Sequence, residues 1–135
     1  MPHFVVQKVG DALNQSRKTV NGSRGLVLGV AYKKDTDDVR ESPAFKVMEL
    51  LQERGASLVY HDPYVARLPK MRHYHVEAEP VALTPDVLEG CDFVLIVTDH
   101  KNIDWDLVVR HSPLVIDTRN ATRDVREGRE KIFKA

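Results

Sequence analysis

The sequence predicts a three-layer α/β fold, an open parallel sheet with helices on both faces. Three observations carry that expectation. Continuous apolar runs such as GLVLGVAY (residues 25–32) and FVLIVT (93–98) suit strands buried on both faces. Amphipathic segments between the strands open on cap-and-proline pairs, Ser42-Pro43 and Thr84-Pro85. Strand and helix alternate along the chain, the pattern of parallel β-α-β units with right-handed crossovers.

The elements follow in order. Phe4, Val5, Val9, Ala12 and Leu13 recur at helical spacing, so a first helix is expected over 4–13, weakened by Gly10. Its apolar face has no obvious neighbour inside the domain, which suggests the cut end of a longer protein or a dimer contact. Asn21-Gly22 marks a turn, and 25–32 is the first strand. Ala44, Val47, Met48 and Leu51 line one face of the helix after Ser42-Pro43, and Gly55 is placed to stop it. A second strand spans 57–61 and ends at Asp62-Pro63. Residues 64–80 show no firm period and read as loop with short pieces. Thr84-Pro85 opens a short helix closed by Gly90, before the strand at 93–98. Asp104 can cap a helix to about Arg110, and 114–117 is a last short strand. The tail after Asn120 is strongly charged and has no obvious cap.

Composition narrows the function. The 135 residues balance at a formal net charge of +0, with 42% hydrophobic and 30% charged residues. That suits one globular domain able to bury a core. It argues against a broad nucleic-acid or membrane-binding surface. No apolar run approaches the ~20 residues of a membrane span. The opening ten residues are too short and polar for a secretory signal. The single cysteine, Cys91, excludes an intramolecular disulfide and a Cys-based zinc cluster, and favours a reducing, cytoplasmic compartment.

In an open parallel sheet, ligands bind beyond the carboxyl ends of the strands. The residues there are charged. Lys33, Lys34 and Arg40 follow the first strand, Lys101 the third and Arg119 the fourth. These cations could converge on one rim, with the helix start at Ser42 adding partial positive charge. Such a rim suits a phosphorylated or nucleotide ligand, although a lysine pair in a loop is as readily a solvated charge run. The dinucleotide fingerprint G-x-G-x-x-G is absent, because Gly25 and Gly29 stand four apart and the following loop is long and acidic. Gly29 therefore reads first as a point of close backbone packing. Asp62 could accept ribose hydroxyls, but an aspartate before proline more often forms a turn. Cys91 reads as a small packed residue, His73 and His75 as surface histidines, and Tyr60, Tyr64 and Trp105 as packing residues. No Ser-His-Asp or paired-carboxylate arrangement is visible.

The run VLGVAYKKDTDDVRESPA, followed by ELLQERGASLVYHDPYV, resembles the C-terminal UDP-binding domain of the nucleotide-sugar dehydrogenases. LEGCDFVLIVTDH, Ile103-Asp104-Trp105 and LVIDTRNA agree in order and spacing, and MPHFVVQKVGDALN looks like the stretch that enters this domain from a central helix. Within the family the chain looks closest to the UDP-N-acetylhexosamine 6-dehydrogenases, with UDP-N-acetylglucosamine favoured over UDP-N-acetylmannosamine.

The resemblance implies a Rossmann-like three-layer open parallel sheet preceded by the end of a linker helix. It implies residues 1–20 as that connecting helix and 21–135 as the UDP-sugar-binding domain. Tyr32 and Lys33 match the aromatic-lysine pair that contacts the UDP-sugar, and Arg119 matches the strand-end arginine that binds the substrate. Arg40 matches the arginine that reaches the NAD held by another domain. No role carries over to Lys34, Asp62 or Lys101. The family oxidises C6 of a UDP-hexose to a uronic acid, for surface polysaccharide synthesis, through a cysteine nucleophile that Cys91 does not match. The NAD-binding domain and the central segment with that cysteine are missing here. The expectation is therefore a domain fragment that is inactive alone, with the remaining domains as partners and a homo-oligomer as the full enzyme. No metal, membrane or nucleic acid is implied. A free-standing, non-catalytic nucleotide-sugar-binding or dimerisation module is the alternative.

Overall fold

The computed structural model describes residues 2–31, 33–35, 39, 42–69 and 74–135. Among these residues six parallel strands form one sheet: β1 (Arg24–Leu28), β2 (Ser57–His61), β3 (Glu79–Pro80), β4 (Phe93–Ile96), β5 (Val115–Asp117) and β6 (Ile132–Lys134). Their order is β3-β2-β1-β4-β5-β6. The chain leaves β1 for β2 on one side and later returns to place β4 on the other. The crevice above β1 and β4 is thus the point where strand order reverses, the usual ligand position in such sheets.

Alternating side chains divide the core into two layers. Val27, Leu58, Tyr60, Phe93, Leu95 and Ile116 face the helices α1 (Pro2–Gln15) and α2 (Pro43–Glu53). Leu26, Leu28, Val59, Val94, Ile96 and Val115 face α3 (Pro85–Glu89) and α4 (Trp105–His111). The β1, β4 and β5 side chains are buried on both faces, apart from Arg24 at the start, which is why they read as unbroken apolar runs.

The caps form as their chemistry dictates. The Ser42 hydroxyl accepts from the Ala44 N–H, Thr84 from Val87 and Asp104 from Leu107. Gly55 follows α2 at φ +97°, a left-handed stop. Strand β1 ends at Leu28, four residues earlier than expected, because Gly29 turns to φ +86°.

The first helix is corrected by the structure. Its apolar face does have a neighbour inside the domain. Val6, Val9, Ala12 and Leu13 are buried, and α1 packs on α2 and reaches β4 and β5. Most of the face that suggested a dimer contact is therefore part of the core, while Phe4 stays exposed. Two strands are also added, β3 within the predicted loop and β6 in the charged tail. Each is an edge strand of two or three residues, one containing Pro80, so neither has a local signal. No helix among the described residues is long and apolar enough to cross a membrane.

Candidate functional site

The carboxyl ends of β1, β2, β4 and β5 carry the candidate residues, and hydrogen bonds among the described residues fix the backbone around several of them. Just after β1, Val30 and Ala31 donate their N–H groups to Asp62 Oδ2, at 2.8 and 3.2 Å. The Ala31 carbonyl accepts from the Thr98 hydroxyl at 2.8 Å and from the Ser42 hydroxyl at 3.3 Å. Gly29 lies directly under Thr98, where a Cβ would stand 2.7 Å from the Thr98 carbonyl oxygen. Close packing is therefore the role of Gly29, and the strand end has no glycine cradle for a dinucleotide.

Lys33 and Lys34 follow as exposed residues. Asp35, next in line, adopts φ +59°. Its N–H donates to His100 Nδ1 at 2.8 Å, and its carboxylate accepts from the Lys101 N–H at 3.0 Å. Lys101 Nζ stands 3.9 Å from the same carboxylate, which balances part of its charge. Tyr32 and Arg40 lie outside the described residues, as does His73.

Arg119 is exposed beyond β5. Its Nε–H donates to the Val97 carbonyl at 2.9 Å, which turns the guanidinium back over the end of β4. Asp117 builds the turn that carries it. This buried carboxylate accepts from the N–H groups of Arg119, Ala121 and Thr122 and from the Thr122 hydroxyl, at 2.7–3.1 Å. Burial alone would raise the Asp117 pKa, but the bonds from Thr122, Arg119 and Ala121 outweigh it and hold the group below the ordinary value. Asn120 completes the turn at φ +60°.

The segment 97–101 is therefore a common mount. One side holds the β1 loop through Thr98, His100 and Lys101, and the other holds Arg119 through Val97. Two residues singled out in the sequence, Lys33 and Arg119, belong to the two arms of this mount. A side chain ending in an ammonium and one ending in a guanidinium fork are the groups that neutralise a diphosphate.

Asp62 is a structural hub and not a free acceptor. It is buried, and Oδ2 also accepts from His100 Nε2 at 2.9 Å while Oδ1 accepts from the Tyr64 N–H at 2.8 Å. The turn reading holds, and the ribose reading does not. His100 was not singled out in the sequence. A lone histidine after a strand has no spacing signal, and its partners lie 38 and 65 residues away. Cys91 is a packed residue whose thiol is pushed up by burial, only partly offset by Arg24. His75 is exposed, and no metal-binding group of His, Cys, Asp and Glu exists among the described residues.

Known proteins resemble this chain in sequence and fold. Residues 26–124 match the family model for the UDP binding domain of the UDP-glucose/GDP-mannose dehydrogenase family. A UDP-N-acetyl-D-mannosamine dehydrogenase of Pyrococcus horikoshii is 33% identical over 130 residues, 92% of this chain and 28% of that protein. A UDP-glucose 6-dehydrogenase of Rickettsia typhi is 31% identical over 126 residues, 88% of this chain and 28% of the relative. Among solved structures, the NDP-N-acetyl-D-galactosaminuronic acid dehydrogenase of Methanosarcina mazei Go1 superposes with a TM-score of 0.78 at 25% identity. It covers 100% of this chain and 28% of that one. The chain thus spans little more than a quarter of the length of these relatives. With its parallel sheet and its family match over residues 26–124, the chain belongs to the UDP-glucose/GDP-mannose dehydrogenase family, as its UDP binding domain.

Proposed function

We propose that this chain supplies the UDP half of the substrate site of an NAD-dependent UDP-N-acetylhexosamine 6-dehydrogenase. The observation that carries the reading is the shared mount at 97–101, which fixes the Lys33 loop and Arg119 at the ends of β1 and β5, the strands on either side of β4. Lys33 offsets diphosphate charge, Arg119 grips it through two N–H groups, and Tyr32 contacts the nucleotide-sugar beside Lys33. The relatives' names point to UDP-linked hexoses, UDP-N-acetyl-D-mannosamine and UDP-glucose alike.

The chemistry at C6 belongs to domains beyond this chain. NAD does not fit the residues described here, since Gly29 is spent on packing under Thr98 and the sequence has no G-x-G-x-x-G run. Arg40 is assigned to contact NAD held by a neighbouring domain. Residues 1–20 are assigned as the end of the connecting helix and 21–135 as the UDP-binding domain. Binding energy from the nucleotide half then orients C6 at a distance, a general way in which remote contacts raise rate.

Amide-resolved NMR titration with UDP, with NAD as control, tests the reading. UDP is expected to shift resonances at Lys33, Asp35, Thr98 and Arg119, and NAD to leave them in place. Lys33→Ala and Arg119→Ala are each expected to weaken UDP binding about tenfold, the loss of one charge-assisted contact. UDP shifts confined to another face, or affinities unchanged in both variants, would overturn it.

A further inference from the structure

The interior of the strand-end region holds a polar relay that UDP contact alone does not explain. The His100 ring is wholly buried, as is the Asp62 carboxylate beside it. Its two nitrogens face different loops. Nδ1 lies 2.8 Å from the Asp35 nitrogen and Nε2 lies 2.9 Å from Asp62 Oδ2. A backbone N–H can only donate, so Nδ1 must present its lone pair, and the ring proton sits on Nε2 facing the carboxylate. The Tyr64 ring covers the imidazole with centroids 4.8 Å apart. Asp62 accepts in turn from Val30 and Ala31 at the end of β1. The relay thus ties together the loops after β1, β2 and β4.

Its outer end is Asp35, in the left-handed conformation at φ +59°. A non-glycine residue stays there only when its surroundings hold it. Here the holders are His100 on its N–H and the Lys101 N–H on its carboxylate. Lys33 stands two residues away on the same loop. An apolar side chain at position 100 could fill the space and would spare the desolvation of a polar ring. Only a group with an acceptor on one side and a donor on the other can join Asp35 to Asp62.

We propose that His100 is a positioning residue for the UDP-binding loop. It accepts the Asp35 N–H on Nδ1, is oriented by Asp62 through Nε2, and so sets where Lys33 meets the diphosphate. The ligand part rests on the reading of Lys33 as a UDP contact.

The first test needs no substitution. In the wild-type chain, NMR should detect a scalar coupling across the Asp35 N–H to His100 Nδ1 hydrogen bond, with Nε2 as the protonated ring nitrogen. The second compares two variants. His100→Gln keeps a donor near Asp62 and loses the acceptor for Asp35. It is expected to shift the Lys33–Asp35 amides and weaken UDP binding about tenfold. His100→Asn keeps an acceptor at the Nδ1 position and is expected to recover most of that loss. Leu51→Ala, a core truncation at the far end of α2, should lower stability while leaving UDP affinity unchanged.

The proposal is overturned if the coupling is absent, or if His100→Gln leaves both the loop amides and UDP affinity at wild-type values. Should neither variant fold, the wild-type coupling decides. A wild-type chain that ignores UDP refutes the ligand assignment alone. The coupling and the loop shifts still uphold or overturn the hold on Asp35.

Discussion

His100 Nε2 and Asp62 Oδ2 meet 2.9 Å apart with both side chains closed to solvent, although they come from strands on opposite sides of β1. The contact bridges the end of the central strand. It joins the segment after β4 to the turn after β2, and Asp62 then fastens Val30 and Ala31 between them. The candidate ligand loop therefore starts from a rigid base, which is what a preorganised binding site requires.

Arg119 should not tolerate lysine. Its Nε–H holds the Val97 carbonyl, and in the proposed site the rest of the guanidinium meets the diphosphate. Lysine keeps the charge but cannot form both contacts. Arg119→Lys is expected to weaken UDP binding about tenfold with little change in melting temperature. Titration calorimetry beside a thermal melt checks the two readouts together.

Gly29→Ala should damage stability and site at once. The residue sits at φ +86° and a Cβ would crowd the Thr98 backbone. Strain and crowding together are expected to cost roughly 2–4 kcal/mol. Urea unfolding measures that loss, and amide shifts at Ala31 and Thr98 report displacement of the mount.

Gly10→Ala should act in the opposite direction. Gly10 is inside α1, and an added Cβ would make only an ordinary contact, 3.9 Å from Val20 Cγ2. Replacing a helical glycine by alanine is worth about 0.5–1 kcal/mol. A rise of roughly 2–4 °C in Tm is expected from that gain.

Acid should weaken the fold through Asp117. Its folded pKa is held below the ordinary aspartate value of 3.8. The unfolded chain therefore takes up the proton first as pH falls. The stabilisation is complete well above 3.8 and is lost as pH drops through the lower folded value. Asp117→Asn should flatten the acid limb of a urea-midpoint profile and lower stability at neutral pH. Asp92, lowered by Lys18 and the Arg24 N–H, contributes in the same sense from a partly exposed position.

Cys91 should resist thiol reagents. Burial disfavours the thiolate and closes the approach. Native protein is expected to react with an aromatic disulfide reagent only at its rate of opening, and fully in denaturant.

Much of this architecture was legible because its signals are local. Buried strands show as unbroken Val, Leu and Ile runs, and Ser42, Thr84 and Asp104 announce helix starts through bonds to their own chain. The strand-end placement of Lys33 and Arg119 was legible from position, while their assignment to the ligand is the proposal made above. Tyr32 and Arg40 rest on the family resemblance. The edges β3 and β6 were not legible, because sheet pairing and not local propensity makes two or three residues extended. The neighbour of α1 was likewise invisible, since it depends on how α2 lies on the sheet. The relay was hidden for the same reason. Asp62 and His100 have ordinary local readings, and only the placement of β2 and β4 on either side of β1 brings them together.

That strand order also has a consequence for how the chain acquires its shape. Of the pairings in the sheet, β1 with β4 joins the residues farthest apart in sequence, such as Gly25 with Phe93, and the nearby Arg24–Asp92 bond closes a separation of 68 residues. Joints of that span carry the largest loop-closure entropy and form late. A chain with β1, α2 and β2 already assembled would possess half a sheet and no mount for Arg119 or the Lys33 loop. The proposed ligand site is thus a property of the last major closure, and UDP that binds there would select fully folded chains over half-built ones.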